Sequence, residues 1–184
     1  GIFKIVRLVN QLIPFLTDGC STKLWGNRNN LKFITTDNVN SSKCLVAIKE
    51  SNPELIVSVS MNQLINKDIL ELPLKRSVNV HCAPLPAYGG MSPYVWALAN
   101  NENHSAATIH YMDEGLDTGN IIMQEKISVL SNDSAFCLFH RCCSKASLLL
   151  METIEKIENE SVDSYPQNLS KKSYFSWPNK QWVK

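Results

Sequence analysis

Glycine is scarce in this chain, at 7 of 184 residues, and no Gly-x-Gly-x-x-Gly follows any apolar run. That argues against a dinucleotide-binding turn, whose glycines let backbone approach a pyrophosphate. No stretch nears the ~20 apolar residues of a membrane span. The charges almost cancel, at +1, so no net field gathers nucleic acid, membrane or an acidic partner. The basic pairs Lys75-Arg76 and Lys171-Lys172 are isolated and read as solvated surface. Cys20, Cys44, Cys82, Cys137, Cys142 and Cys143 form no Cys-x-x-Cys and no paired framework, which favours free thiols in a reducing, cytoplasmic compartment. His81, His104, His110 and His140 are scattered without a His-Glu-x-x-His spacing, so no metal is expected. Internal repeats and low-complexity tracts are also lacking. What is present is an ordinary globular composition, 44% apolar and 19% charged, in a length that suits one core.

The elements alternate. In Gly1 to Leu16 the apolar positions Ile2, Ile5, Val6, Val9, Ile13 and Leu16 recur with helical spacing and no small-residue cleavage site follows, which predicts an amphipathic helix. Leu31 to Thr35 reads as a short strand. Asn40 and Ser41 can cap a helix that runs to Glu50. Leu55 to Ser60 is β-branched and apolar on both faces, as in a parallel sheet. Ser77 to His81 is a third strand, and Ser92-Pro93 is an N-cap with proline at the first position of a helix reaching Asn100. Ala106 to Met112 and Ile121 to Val129 are two more strands. A long helix is expected from Asp133 or Ser134 to about Glu158, with Leu138, Cys142, Leu149, Ile154 and Ile157 on one side. The tail from Ser161 has no period, and its aromatics are expected to pin it to the surface.

The chemistry concentrates between Asn79 and Gly119. Side chains alternate along a strand, so Asn79 and His81 share one face while Val78 and Val80 take the other. A loop stiffened by Pro84 and Pro86 and loosened by Gly89-Gly90 follows. Asp117, 36 residues beyond His81, stands in a second polar loop that can return a carboxylate to the imidazole. Cys82 beside the histidine suggests a thiol nucleophile, but neighbouring strand residues face opposite ways.

The Asn-x-His of Asn79-Val80-His81, the Leu85-Pro86-x-Tyr88-x-Gly90 loop and the later Leu116-Asp117-x-Gly119 resemble the signature of the folate-dependent formyltransferases. That family includes glycinamide ribonucleotide, methionyl-tRNA and sugar-amine formyltransferases, and the similarity runs from about Leu31 to about Ile157. The resemblance implies a Rossmann-like, doubly wound α/β fold with a mostly parallel sheet and flanking helices. It divides the chain into a domain over 1–160 and an irregular tail over 161–184. It assigns the family's catalytic roles to Asn79, His81 and Asp117. It places 10-formyltetrahydrofolate, the formyl donor, against Met61, Asn62, Gln63, Leu64 and Ile65 and against Asp113, Glu114, Gly115 and Leu116. Pro86, Tyr88, Gly89 and Gly90 would meet the amine acceptor. Relatives often carry glycine where Ser60 stands. They also open with a strand, a glycine-bearing loop and a helix that this sequence lacks, so either the sequence is a fragment or Gly1 to Leu16 covers that surface in another way.

The implied reaction is formyl transfer to a primary amine of a small acceptor such as an amino-sugar nucleotide. Alternatives within the family are methionyl-tRNA formyltransferase and formyltetrahydrofolate deformylase, which uses water. A non-catalytic folate-binding remnant and a generic nucleotide-binding domain are the readings outside enzymology. Neither the acceptor nor the oligomeric state is legible.

Overall fold

The computed structural model describes residues 5–9, 26, 28–32 and 34–179. Its centre is a five-stranded sheet of β1 (Ile5–Val9), β2 (Leu55–Val59), β3 (Ser77–His81), β5 (His104–Tyr111) and β6 (Ile121–Ser128), in that spatial order. β1, β2 and β3 run parallel, whereas β5 and β6 are antiparallel to their neighbours. The doubly wound α/β class expected from the sequence is therefore present, but the sheet is mixed rather than mostly parallel. β6 runs antiparallel to β5 because residues 112–120, which join them, are too few for the crossover that a parallel pair needs.

The sheet's two faces carry separate cores. Leu55, Val57, Val78 and Ile109 pack with Ala97 of α3 (Pro93–Ala99) and with Leu138, Cys142, Ala146 and Leu149 of α4 (Ala135–Glu158). Ile56, from the other face of β2, packs with Cys44 and Ile48 of α1 (Ser42–Ser51) and with Ile69 and Leu70 of α2 (Lys67–Leu70). In α4 the buried positions Leu138, Cys142, Ala146, Leu149, Thr153 and Ile157 recur every three or four residues, which makes one stripe. Ser134 caps that helix by accepting the Cys137 N–H at 3.2 Å, and Ser41 caps α1 by accepting the Cys44 N–H at 3.3 Å.

Three expectations are corrected. Ile5–Val9 is a strand paired in parallel with β2, not part of a helix; the rest of Gly1 to Leu16 lies outside the described residues. The described residues of Leu31 to Thr35 are exposed coil and pair with none of the described strands. Ser92 occupies the N-cap position of α3, but its backbone is left-handed and its hydroxyl makes no capping bond. Among the described residues no helix is long and apolar enough to cross a membrane.

Candidate active site

The site forms where β3 and β5 lie side by side and the loops after them meet. Asn79 and His110 are directly opposed in the antiparallel register, as are His81 and Thr108. Opposed residues point to the same face, so the pairing itself brings an amide and a second imidazole together. The Asp117 loop then folds over this pair. Asn79 Nδ2 lies 3.3 Å from Asp117 Oδ1 and 3.2 Å from His110 Nε2. Asp117 Oδ2 accepts the Gly90 N–H at 2.8 Å and stands 3.9 Å from His81 Nε2. The amide, the imidazole and the carboxylate inferred from the sequence thus meet in space.

Proton positions follow from the partners. A carbonyl oxygen only accepts, so the 3.0 Å contact of His81 Nε2 with the Tyr88 carbonyl places a proton on that nitrogen. By the same argument His110 Nδ1 donates to the Tyr111 carbonyl at 2.7 Å. In neutral His110 this leaves Nε2 to accept from Asn79, and both Asn79 amide protons are then engaged.

Asp117 is only 9% exposed at its side chain. Burial alone would raise its pKa, but the His81 charge, the adjacent His110 ring and the Gly90 N–H together hold the carboxyl well below the usual carboxylate range. The consequence for stability has a definite sign. A carboxyl whose pKa is lower folded than unfolded stabilises the fold above its unfolded value, ordinarily 3.8, and loses that contribution as the pH falls towards the folded one. Unfolding titrations between about pH 5 and pH 2 should show stability falling with acid more steeply in the native chain than in Asp117→Asn. Equal slopes would mean that the carboxylate is not held this way.

Beside this cluster lies a narrow cleft of about 50 Å³, lined in part by Met61, Gln63, Leu64, Ile65, Met112, Asp113, Gly115 and Leu116. Of the residues expected to meet the folate, Asn62 and Glu114 are not in this lining; Asn62 is exposed and Glu114 faces Lys67 at 3.6 Å. Ser60 takes a φ of 52°, the left-handed backbone that glycine adopts without strain. The loop after β2 therefore keeps a glycine-like turn with a serine in it.

The expected acceptor loop is placed differently from expectation at Tyr88. Its ring stacks on Phe175 with centroids 4.9 Å apart, and its hydroxyl donates to Glu102 at 2.6 Å. Only the Tyr88 carbonyl faces the site, through His81. Pro86 accepts the Ser173 N–H through its carbonyl at 3.3 Å, and Gly89-Gly90 form β4, paired with β7 (Tyr174–Phe175). Contacts with the Cys142 and Cys143 thiols, with burial added, push the Cys82 thiol well above its ordinary range. A thiolate beside His81 finds no support.

Two cleft residues escaped the sequence reading. His110 gave no signal, because only the β3–β5 register puts it opposite Asn79. Ser58, which pairs in register with Asn79, lines the cleft with a buried hydroxyl that has no partner among the described residues.

Residues 21–154 match the family model described as Formyl transferase. The chain belongs to that family. It is 35% identical over 138 residues to the methionyl-tRNA formyltransferase of Methylacidiphilum infernorum, covering 75% of this chain and 43% of the relative. It is 40% identical over 129 residues to the GDP-perosamine N-formyltransferase of Brucella melitensis, covering 70% of this chain and 49% of the relative. The structure of the N-formyltransferase from Helicobacter canadensis, in complex with folinic acid and dTDP-3-aminofucose, superposes with a TM-score of 0.68 at 28% identity. That match covers 89% of this chain and 56% of the other. This formyl transferase family member thus spans less than half the length of both of these curated relatives.

Proposed function

We propose that this chain carries the site for formyl transfer from 10-formyltetrahydrofolate to a primary amine of an amino-sugar nucleotide. The observation that carries the reading is the convergence of Asn79, His81 and Asp117 beside one cleft. Attack of the amine on the formyl carbon forms the new C–N bond and develops negative charge on the formyl oxygen; collapse of that tetrahedral carbon breaks its bond to the folate N10, which leaves as tetrahydrofolate carrying the proton that the amine nitrogen loses. The Asn79 amide and the His81 imidazole act on that oxygen; one such donor contributes about 3 to 4 kcal/mol. Both Asn79 protons and the His81 Nε2–H already have partners, so the entering oxygen takes the place of Asp117 at Asn79, the longer of its two contacts at 3.3 Å, and of the Tyr88 carbonyl at His81. A general base works best with a pKa near the operating pH. Asp117 lies well below that range, which supports a role in holding the imidazole over one in taking the amine proton directly.

The cleft has the right lining for a flat heteroaromatic ring, with Met61, Leu64, Met112 and Leu116 for its faces and Gln63, Asp113 and the Ser58 hydroxyl for its edges. Ligand sites usually offer ~300 Å³ or more, so a folate enters by parting the loops after β2 and β5. The Helicobacter relative's complex with folinic acid and an amino-sugar nucleotide supports both substrates. The free thiols among the described residues support a reducing, cytoplasmic setting. A second reading, methionyl-tRNA as acceptor, is favoured by relatives such as the Methylacidiphilum enzyme.

The deciding experiment mixes the protein with 10-formyltetrahydrofolate and follows loss of the formyl group optically. Separate arms hold amino-sugar nucleotides, charged initiator tRNA and no acceptor. Turnover confined to the amino-sugar arm is the expected result. Turnover with tRNA alone selects the second reading, formate release without acceptor identifies a deformylase, and folate binding without turnover identifies a non-catalytic remnant.

A further inference from the structure

The segment after α4 does more than cover surface. Tyr165 pairs with Ile121 through two backbone bonds of 2.9 Å, which sets the next residues beside the Asp117 loop. There the Gln167 Nε2 donates to the Asp117 carbonyl at 2.9 Å and to the Gly119 carbonyl at 2.7 Å. One amide group uses both its protons on carbonyls either side of Thr118. Its Oε1 is buried without a partner among the described residues. The reverse orientation would set that oxygen against two carbonyl oxygens, so the donor side is fixed by chemistry.

Asp117 itself holds a φ of 52°. A residue with a side chain keeps such a backbone only when its surroundings hold it there. From this turn the carboxylate reaches Asn79, Gly90 and His81. Gly119, at the end of the same turn, has no room for a Cβ against the Tyr111 carbonyl, so the turn is braced on that side by β5 and on the other by Gln167.

We propose that Gln167 is a positioning residue: by tying the carbonyls of Asp117 and Gly119 it fixes the left-handed turn that aims the carboxylate at His81 and Asn79. The kinetic consequence rests on the formyl-transfer reading; the structural one does not. Gln167 touches no substrate in this scheme and acts only through Asp117.

The test compares Gln167→Ala and Gln167→Met with Trp96→Phe, which removes a different bond to the same segment, from the Trp96 Nε1 to the Ser176 carbonyl at 2.9 Å. Three quantities are read: the ¹³C shift of the Asp117 carboxyl against pH, kcat and KM for 10-formyltetrahydrofolate, and Tm. Methionine is close to glutamine in length and carries neither a donor nor a charge at any pH, so it separates hydrogen bonding from packing. Both Gln167 variants should raise the pH at which Asp117 titrates by about one unit or more. They should lower kcat on the order of 10- to 100-fold, with KM for the folate changed less than about threefold. Trp96→Phe should move neither. The proposal is overturned if Gln167→Met keeps the native titration and a kcat within about twofold, or if the Gln167 variants lower Tm while the Asp117 titration stays put. Should the native protein turn over no acceptor at all, the transfer reading fails and the carboxyl titration alone still decides the role of Gln167.

Discussion

His81→Ala and Asp117→Asn should each reduce formyl transfer by about 10²- to 10⁴-fold, the range for loss of a positioned proton-transfer group or oxyanion donor. The two losses have different origins. Alanine at 81 removes the Nε2–H that now donates to the Tyr88 carbonyl, and with it the group proposed to polarise the formyl oxygen. Asparagine at 117 keeps nearly the same shape and can still accept the Gly90 N–H, but it has no negative charge to favour an imidazolium 3.9 Å away. His81 does not line the cleft, and Asp117 lines it with a side chain whose shape asparagine nearly keeps, so the apolar walls at Met61, Leu64, Ile65 and Leu116 stay as they are. Folate affinity, measured by calorimetry, should therefore stay within a few-fold of the native value while kcat collapses. Because the two groups act as a unit, the double variant should be hardly slower than the worse single one. Near-normal turnover by either single variant would end the assignment, and a matching loss of folate affinity would recast both residues as binding groups.

How much of this site could be read from the sequence depends on where its hydrogen bonds come from. Ser77–His81 was legible because alternation along one strand already separates Asn79 and His81 from Val78 and Val80. The span of α4 was legible because a serine cap and a stripe of apolar residues are both local signals. Ile5–Val9 misled because a short apolar run fits a helix and a strand equally, and its partner β2 lies more than forty residues away in the chain. Leu31 to Thr35 failed for the opposite reason: its composition suits a strand, but its described residues stay exposed and join no ladder among the described strands. His110 and Gln167 were invisible to any local pattern. The first is placed by an antiparallel register and the second by a tail without periodicity, and each reaches the Asp117 cluster from a distance in sequence of 31 or 50 residues.

The joint between that tail and the site should fail on a single methyl group. Gly90 has a φ of 100°, where L side chains are strained, and a Cβ there would run into the Phe175 carbonyl and stand 2.6 Å from the Tyr174 ring. The same residue donates its N–H to Asp117, and its neighbour Met91 donates to the Phe175 carbonyl at 2.8 Å. Gly90→Ala must therefore either push β7 off β4 or turn the N–H away from the carboxylate. Backbone strain plus overpacking put the cost on the order of 2 to 5 kcal/mol, and the misplaced carboxylate should lower kcat on the order of tenfold or more. Gly89 is the internal comparison. Its φ is not positive, and a Cβ there meets the Ser173 carbonyl at 3.4 Å and Asp117 Oδ2 at 3.6 Å, which is ordinary contact. Gly89→Ala should leave Tm unchanged or raise it slightly, since alanine restricts the unfolded chain more than glycine does. Thermal melts of the two variants, one atom group apart on adjacent residues, decide the matter. If Gly90→Ala melts with the native protein, the tail does not dock on this loop, and the brace that β7 gives the Asp117 carboxylate through Gly90 does not exist.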